Sequence, residues 1–186
     1  MVGFMRIIIT GSPGTGKSSI ALKLSKLLKI PIIDLKSIVK KHRLAKGKES
    51  EVDIPKLRKF LLSDNGPVSK SRNYIIEGHL ACEMKIPADF IIVLRTNPTV
   101  LKGRLTKRGY KKFKIEENLM AEMLDYCSQR VCIVYNKKHL ELDTSKLTPV
   151  KAAKIIQKTI KQKKKKLDII DYTKELKKTL SLGYSR

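Results

Sequence analysis

The stretch Gly11-Ser12-Pro13-Gly14-Thr15-Gly16-Lys17-Ser18-Ser19 constrains this chain more than any other. Its spacing, G-x-x-x-x-G-K-[ST], is that of a phosphate-cradling loop. Arg6-Ile7-Ile8-Ile9-Thr10 precedes it as a short apolar run rich in β-branched residues, which reads as a buried strand. Ser18 to Leu28 follows with Ile20, Leu24, Leu27 and Leu28 on one helical face. Strand, glycine loop and helix together are the context the motif requires. Gly14 and Gly16 allow a tight turn that aims backbone N–H groups at phosphate oxygens. Lys17 is placed to reach the β- and γ-phosphates, and the Ser18 hydroxyl to ligate Mg²⁺.

The rest of the chain alternates in the same way. Ile30-Pro31-Ile32-Ile33-Asp34 reads as a second strand, and Leu35 to Leu44 as a helix with Leu35, Ile38 and Val39 inward. Lys40, Lys41, His42 and Arg43 cluster at its end, and Ala45 to Asp53, with Gly47, reads as a loop. Lys56 to Leu62 is helical after Ile54-Pro55, and Asp64-Asn65-Gly66-Pro67 is a turn. Tyr74 to His79 is a strand running into Glu77-Gly78-His79, and Asp89 to Thr96 is a longer one, apolar on both faces and hence central. Asn97-Pro98 starts a helix as N-cap and first helical residue, ended by Gly109-Tyr110. Lys111 to Lys114 reads as a mobile basic segment, and Ile115 to Tyr135 as one long helix with Leu119, Met123, Tyr126 and Cys127 inward. His139 to Thr144 is a last strand, and Thr148-Pro149 opens a helix carrying Ala152, Ala153, Ile155, Ile156 and Ile160. This order predicts an α/β fold, a three-layer sandwich around a five-stranded parallel sheet.

Residues 1–160 form the expected domain, and 161–186 a basic C-terminal extension. Leu167 to Leu180 would allow one more amphipathic helix; the segment is either a solvated extension or an arm for RNA or a partner. The net charge is +24. That excess suggests a polyanionic partner, against the alternative of a Lys-rich surface that reflects only habitat or proteome composition. Cys82, Cys127 and Cys132 make no C-x-x-C or zinc pattern, so reduced thiols and a cytoplasmic location are expected. No apolar run approaches the roughly 18 residues of a membrane span, and no signal peptide is evident.

Three features narrow the chemistry. Asn136-Lys137-Lys138 lacks the Asp of a guanine-reading N-K-x-D, which argues against a GTPase switch. Arg104 and Arg108 sit one helical turn apart before the Gly-Tyr break, where an arginine on a lid can stabilise a transferring phosphoryl group; Arg108 adjoins the break and is the preferred candidate. Glu77 and His79 end a strand beside the loop, where a carboxylate can orient metal-bound water and an imidazole can position a nucleophile.

The P-loop, Glu77-Gly78-His79, Val93-Leu94-Arg95-Thr96-Asn97-Pro98, Leu101 to Leu105, Arg108-Gly109-Tyr110 and Glu117-Asn118 through Glu122 occur in one order and spacing. In these the chain resembles the atypical adenylate kinase family often called adenylate kinase isoenzyme 6, in its archaeal form, from about Arg6 to Ile160. The resemblance implies a P-loop nucleoside monophosphate kinase fold, transfer from ATP to AMP with Mg²⁺, ATP hydrolysis, and small ribosomal subunit maturation with a ribosomal protein and rRNA. An alternative is a ribosome-assembly ATPase in which kinase activity is secondary. By the same resemblance Gly14, Gly16, Lys17, Ser18 and Ser19 bind ATP, and Arg108 is the lid arginine. Lys146 lies on the adenine side, and Glu77 and His79 form the acidic-x-His motif. Residues 34–57 are the monophosphate segment and 107–117 the lid. The family often has Asp at Glu77 and Arg at Lys40; lysine meets phosphate as a point charge, not a fork.

Overall fold

Ile7, Ile8 and Ile9 are fully buried because strand β1 (Arg6–Thr10) is covered on both faces. A computed structural model describes residues 4–46, 51–162 and 168–183 of the chain. After β1 come α1 (Lys17–Leu28), β2 (Ile32–Asp34), α2 (Leu35–Lys41), β3 (Ala45–Lys46), β4 (Glu51–Val52), α3 (Ile54–Leu62) and β5 (Tyr74–Glu77). A 3-10 turn (His79–Glu83) leads to β6 (Phe90–Arg95), α4 (Pro98–Lys107), α5 (Lys112–Met123), α6 (Tyr126–Tyr135), β7 (Leu140–Asp143), α7 (Pro149–Lys161) and α8 (Thr173–Gly183). The main sheet has five strands in the order β2-β5-β1-β6-β7, and every pairing is parallel. This is the expected α/β three-layer architecture.

The two-residue period of the strands sorts the core into two layers. Ile7, Ile9, Ile75, Ile92 and Leu94 pack with Ile20, Ala21 and Leu24 of α1 and Ala152, Ala153 and Ile156 of α7. Ile8, Ile33, Ile76 and Val93 point the other way, onto Leu57 and Leu61 of α3 and Cys127, Val131 and Tyr135 of α6. Asn97 caps α4 by accepting from the Thr99 N–H at 3.0 Å, with Pro98 at the first helical position, as its sequence predicts.

The structure corrects several local expectations. Ala45 to Asp53 is not simply a loop: β3 and β4 pair antiparallel within it. The basic segment at Lys111 to Lys114 is mostly helical, because Ile115 must pack on Leu101 and Leu105 and α5 starts early to bring it there. The long helix from Ile115 to Tyr135 is two. Asp125 takes a left-handed conformation (φ 53°) between α5 and α6, a state that Asp tolerates better than most residues, and its carboxylate accepts from Arg95 Nη2. The break resets the helical register. Cys127, Val131 and Tyr135 then face inward, whereas Tyr126 is exposed and donates to Glu83 Oε1 at 2.9 Å. Leu27, in the last turn of α1, is likewise exposed. The longest strand, β6, is interior, but β1 takes the centre of the sheet.

Of the charge run expected from Lys158 to Lys166, Lys158 and Lys161 lie in the last turn of α7, and residues 163–166 lie outside the described residues. Beyond them the chain returns to the body. The Asp168 N–H donates to Glu141 O at 3.1 Å and its Oδ2 accepts from the Asp143 N–H at 2.8 Å, so the segment runs along the edge strand β7. Tyr172 is buried, its ring centre 5.2 Å from the Arg95 guanidinium carbon, and Thr179 of α8 contacts Met123 of α5. Tyr172→Ala is therefore expected to cost about 3 kcal/mol of stability, in the range for emptying a buried aromatic site. The check is a urea titration. An unchanged midpoint would mean that the segment contributes nothing to the fold.

Candidate active site

The chain reverses direction across the sheet at β1, and the crevice outside the carboxyl ends of β1, β2 and β5 lies at that switch. Its floor is the P-loop. Gly16 has φ 95° and Gly14 φ 93°, where other residues are strained, and a Cβ on Gly14 would sit 2.7 Å from Leu101 Cδ1. No side chain caps the N-terminus of α1 and no acidic residue occupies its first turn, so its free N–H groups and positive field face the crevice. Lys17 curls back over the loop: its Nζ donates to Gly11 O at 2.8 Å and to Ser12 O at 2.9 Å. Burial pushes its pKa down, opposed by nearby Glu77 and Glu122.

Ser18 Oγ donates to Glu77 Oε1 at 2.9 Å. Glu77 is 5% exposed; burial pushes its pKa up, the Ser18 hydroxyl pulls it down and Asp34 pushes it up again, with a net rise. A serine hydroxyl against a carboxylate at the phosphate end of the loop is a hard-oxygen donor set and fits Mg²⁺. His79 sits at the mouth, where loss of hydration and the charge of Lys17 lower its pKa. The residue as a whole keeps contact with solvent, and a pKa lowered from the ordinary histidine value leaves the imidazole neutral at pH 7.

These groups share one cavity of about 300 Å³. Gly14, Gly16, Lys17, Ser18, Ser19, Glu77, His79 and Arg108 all line it. Asp34, Lys36, Val39, Val52 and Leu80 extend it on one side, and Tyr110 stands with Arg108. Lys146 is exposed in the loop after β7 and is not among the lining residues; nor are Lys40 and Arg43. Arg104 is spent on structure: its Nη2 donates to Thr144 O at 2.8 Å and its Nη1 to Gly14 O at 3.4 Å.

Sequence reasoning missed what holds the P-loop. Glu122, 2% exposed on α5, accepts from Ser12 Oγ at 2.5 Å, Arg95 Nε at 2.9 Å and the Thr96 N–H at 2.9 Å. Arg95, 1% exposed, also pairs with Asp125 and Glu141. Burial works against its charge, but Glu122 and Asp125 outweigh it and raise its pKa. The signal in the sequence was a carboxylate beside the inward Met123, with partners too far along the chain to suggest themselves.

Comparison with known proteins bears on the family and the fold. A family model described as an AAA domain matches residues 7–125. A Methanocaldococcus jannaschii protein named "Putative adenylate kinase" is 38% identical over 177 residues, 92% of this chain and 94% of the relative. A Pyrococcus furiosus protein of the same name is 35% identical over 176 residues, 91% and 92% of the two chains. Among solved structures, shikimate kinase from Acinetobacter baumannii superposes with a TM-score of 0.63 at 18% identity, over 86% of this chain and 95% of that one. Deoxyadenosine kinase from M. mycoides gives 0.56 at 18% identity, over 85% and 100%. At such identities these two show the fold alone. The chain has the P-loop kinase fold and belongs to the family of the archaeal proteins that carry the adenylate kinase name.

Proposed function

We propose that this site transfers the γ-phosphoryl group of ATP to AMP, giving two ADP. The observation that carries this reading is the continuity of the cavity. It begins at the P-loop and runs past Glu77 and His79 to Asp34, Lys36, Val39 and Val52, with Arg108 and Tyr110 beside it. A donor phosphate chain and an acceptor can therefore meet in line over Lys17. The names of the relatives favour AMP as the acceptor.

In this reading the backbone of Gly14 to Ser19 and the field of α1 hold the ATP phosphates. Lys17 Nζ exchanges its two loop carbonyls for phosphate oxygens and follows the charge as it moves to the leaving group. Ser18 holds Mg²⁺, with Glu77 beside it. Mg²⁺, when bound, neutralises charge on the β- and γ-phosphate oxygens. Arg108 covers the transferring group from the lid side. Neutral His79 can accept a hydrogen bond from water or acceptor at the mouth without adding charge.

The test is ADP formation from ATP and Mg²⁺ with AMP, CMP, GMP, UMP or water alone. Acceleration by AMP above the other nucleotides is expected. Turnover that no monophosphate accelerates would replace this reading by an ATPase one. A net charge of +24 favours a second reading, in which the same ATP cycle acts on small-subunit rRNA with a ribosomal protein. Acceleration by that RNA, and not by AMP, would support it.

A further inference from the structure

A second group of reactive side chains lies on α6 and β7 and shares no lining residue with the nucleotide cavity. Cys132 Sγ is 3.7 Å from His139 Nδ1, and His139 Nε2 is 3.4 Å from Glu141 Oε1. One tautomer satisfies both contacts: Nε2–H donates to Glu141 and Nδ1 accepts from the thiol. Glu141 is fixed in turn by the Ser128 hydroxyl and Arg95. Burial pushes its pKa up, but His139, Ser128 and Arg95 pull it lower overall, so it is a carboxylate at neutral pH. The three groups open on a shallow cavity of about 440 Å³, with Asp125, Gln129, Ile133 and Ile170 on its walls. Of the three cysteines, Cys82 and Cys127 are buried and Cys132 is exposed. Among the described residues no three His, Cys, Asp or Glu side chains are placed to hold a metal ion.

We infer that Cys132 is a thiol-exchange site that forms mixed disulfides with low-molecular-weight disulfides, with His139 as proton acceptor and Glu141 positioning the imidazole. The thiol proton passes to His139 Nδ1 as Sγ attacks one sulfur of the incoming disulfide. The S–S bond breaks, a Cys132 mixed disulfide forms, and the departing thiolate takes the proton from His139. No external oxidant is consumed, since the incoming disulfide is the oxidant. Cys132 lies in the last turn and a half of α6, where the helix field opposes a thiolate. Any enhanced reactivity therefore has to come from the imidazole. The charged and titratable groups around the thiol are His139 and Glu141 of the β7 segment, Asp125 before α6, and Arg95 of β6 behind Glu141.

The experiment treats the whole native protein at pH 7 with bis(hydroxyethyl) disulfide, an uncharged probe that the basic surface does not steer. Adduct formation at Cys132 is followed by intact mass and peptide mapping. Native Cys132 is expected to react roughly tenfold faster than the same cysteine in the urea-unfolded chain, and His139→Asn should remove that advantage. Glu141→Gln should lower the native rate toward that of the unfolded chain, and Glu141→Asp, which keeps the carboxylate, should recover part of it; a merely structural loss would not be recovered by the conservative variant. Native Cys132 reacting no faster than in the unfolded chain would overturn the inference, as would wild-type rates in a folded His139→Asn. Should His139→Asn not fold, the native-to-unfolded ratio decides alone.

Discussion

Lys17→Ala is expected to lower ATP-dependent phosphoryl transfer by about 100- to 1,000-fold, the usual effect of deleting one preorganised donor to developing charge. The fold should survive. The Lys17 ammonium is held by the carbonyl oxygens of Gly11 and Ser12 at 2.8 and 2.9 Å, in a place where burial opposes its charge. Keeping a cation there contributes little to stability, and removing it frees two carbonyls beside an open crevice. In the proposed reaction its cost is offset when phosphate oxygens replace those carbonyls, and most fully when the transferring group carries its greatest charge. The loss should therefore fall on kcat more than on KM for ATP. A coupled ADP assay and a thermal melt on the same preparation separate the two effects. Full activity in the variant would remove Lys17, and with it the P-loop assignment, from the chemistry.

The second large effect concerns stability. Arg95 is 1% exposed and bonds to Glu122 Oε1 and Glu122 O, each at 2.9 Å, to Asp125, and to Glu141 at 3.4 Å. Glu122→Ala leaves that guanidinium without its most buried partner and frees Ser12 Oγ and the Thr96 N–H as well. Breaking one member of a buried ion pair costs about 3–5 kcal/mol, chiefly because the other charge stays buried and uncompensated. Against a total stability of about 5–15 kcal/mol, that is a drop in Tm of roughly 10 °C for a chain of this size. Arg95→Met should be at least as damaging, since it leaves Glu122 unpaired and removes the cation under the Tyr172 ring. Because Ser12 belongs to the P-loop, Glu122→Ala should also raise KM for ATP at temperatures where the variant is still folded. A Tm equal to wild type would mean that the network is not the support described.

Much of the fold and the phosphate end of the site were legible because their determinants are local. The phosphate loop needs a turn, a lysine and a hydroxyl within nine residues, and Gly11 to Ser19 supply them. The strands that flank it announce themselves as β-branched runs buried on both faces, and Asn97-Pro98 announces a helix start. Glu77 and His79 were found at a strand end, where parallel sheets present their ligand-facing residues. The errors share one cause. The break at Asp125 and the exposure of Tyr126 are set by Arg95 and Glu83, distant in sequence, and the early start of α5 by packing on Leu101 and Leu105 of the preceding helix.

The sequence by itself therefore determined the α/β alternation, the P-loop and the run of β5 into Glu77, because periodicity and turn chemistry act over a few residues. For the two arginines the sequence preferred Arg108 by its place beside the break, and the tertiary structure supplied the physical reason. Arg108 lines the cavity, while Arg104 is tied to Gly14 and Thr144, 90 and 40 residues away. Tertiary structure alone decided that Lys146 stays outside the cavity lining, that Glu122 supports Ser12 across 110 residues, and that Asp168 to Thr179 returns to the core. Buried charges must find partners wherever the fold supplies them, and no local pattern encodes a partner that only the closed sheet brings near.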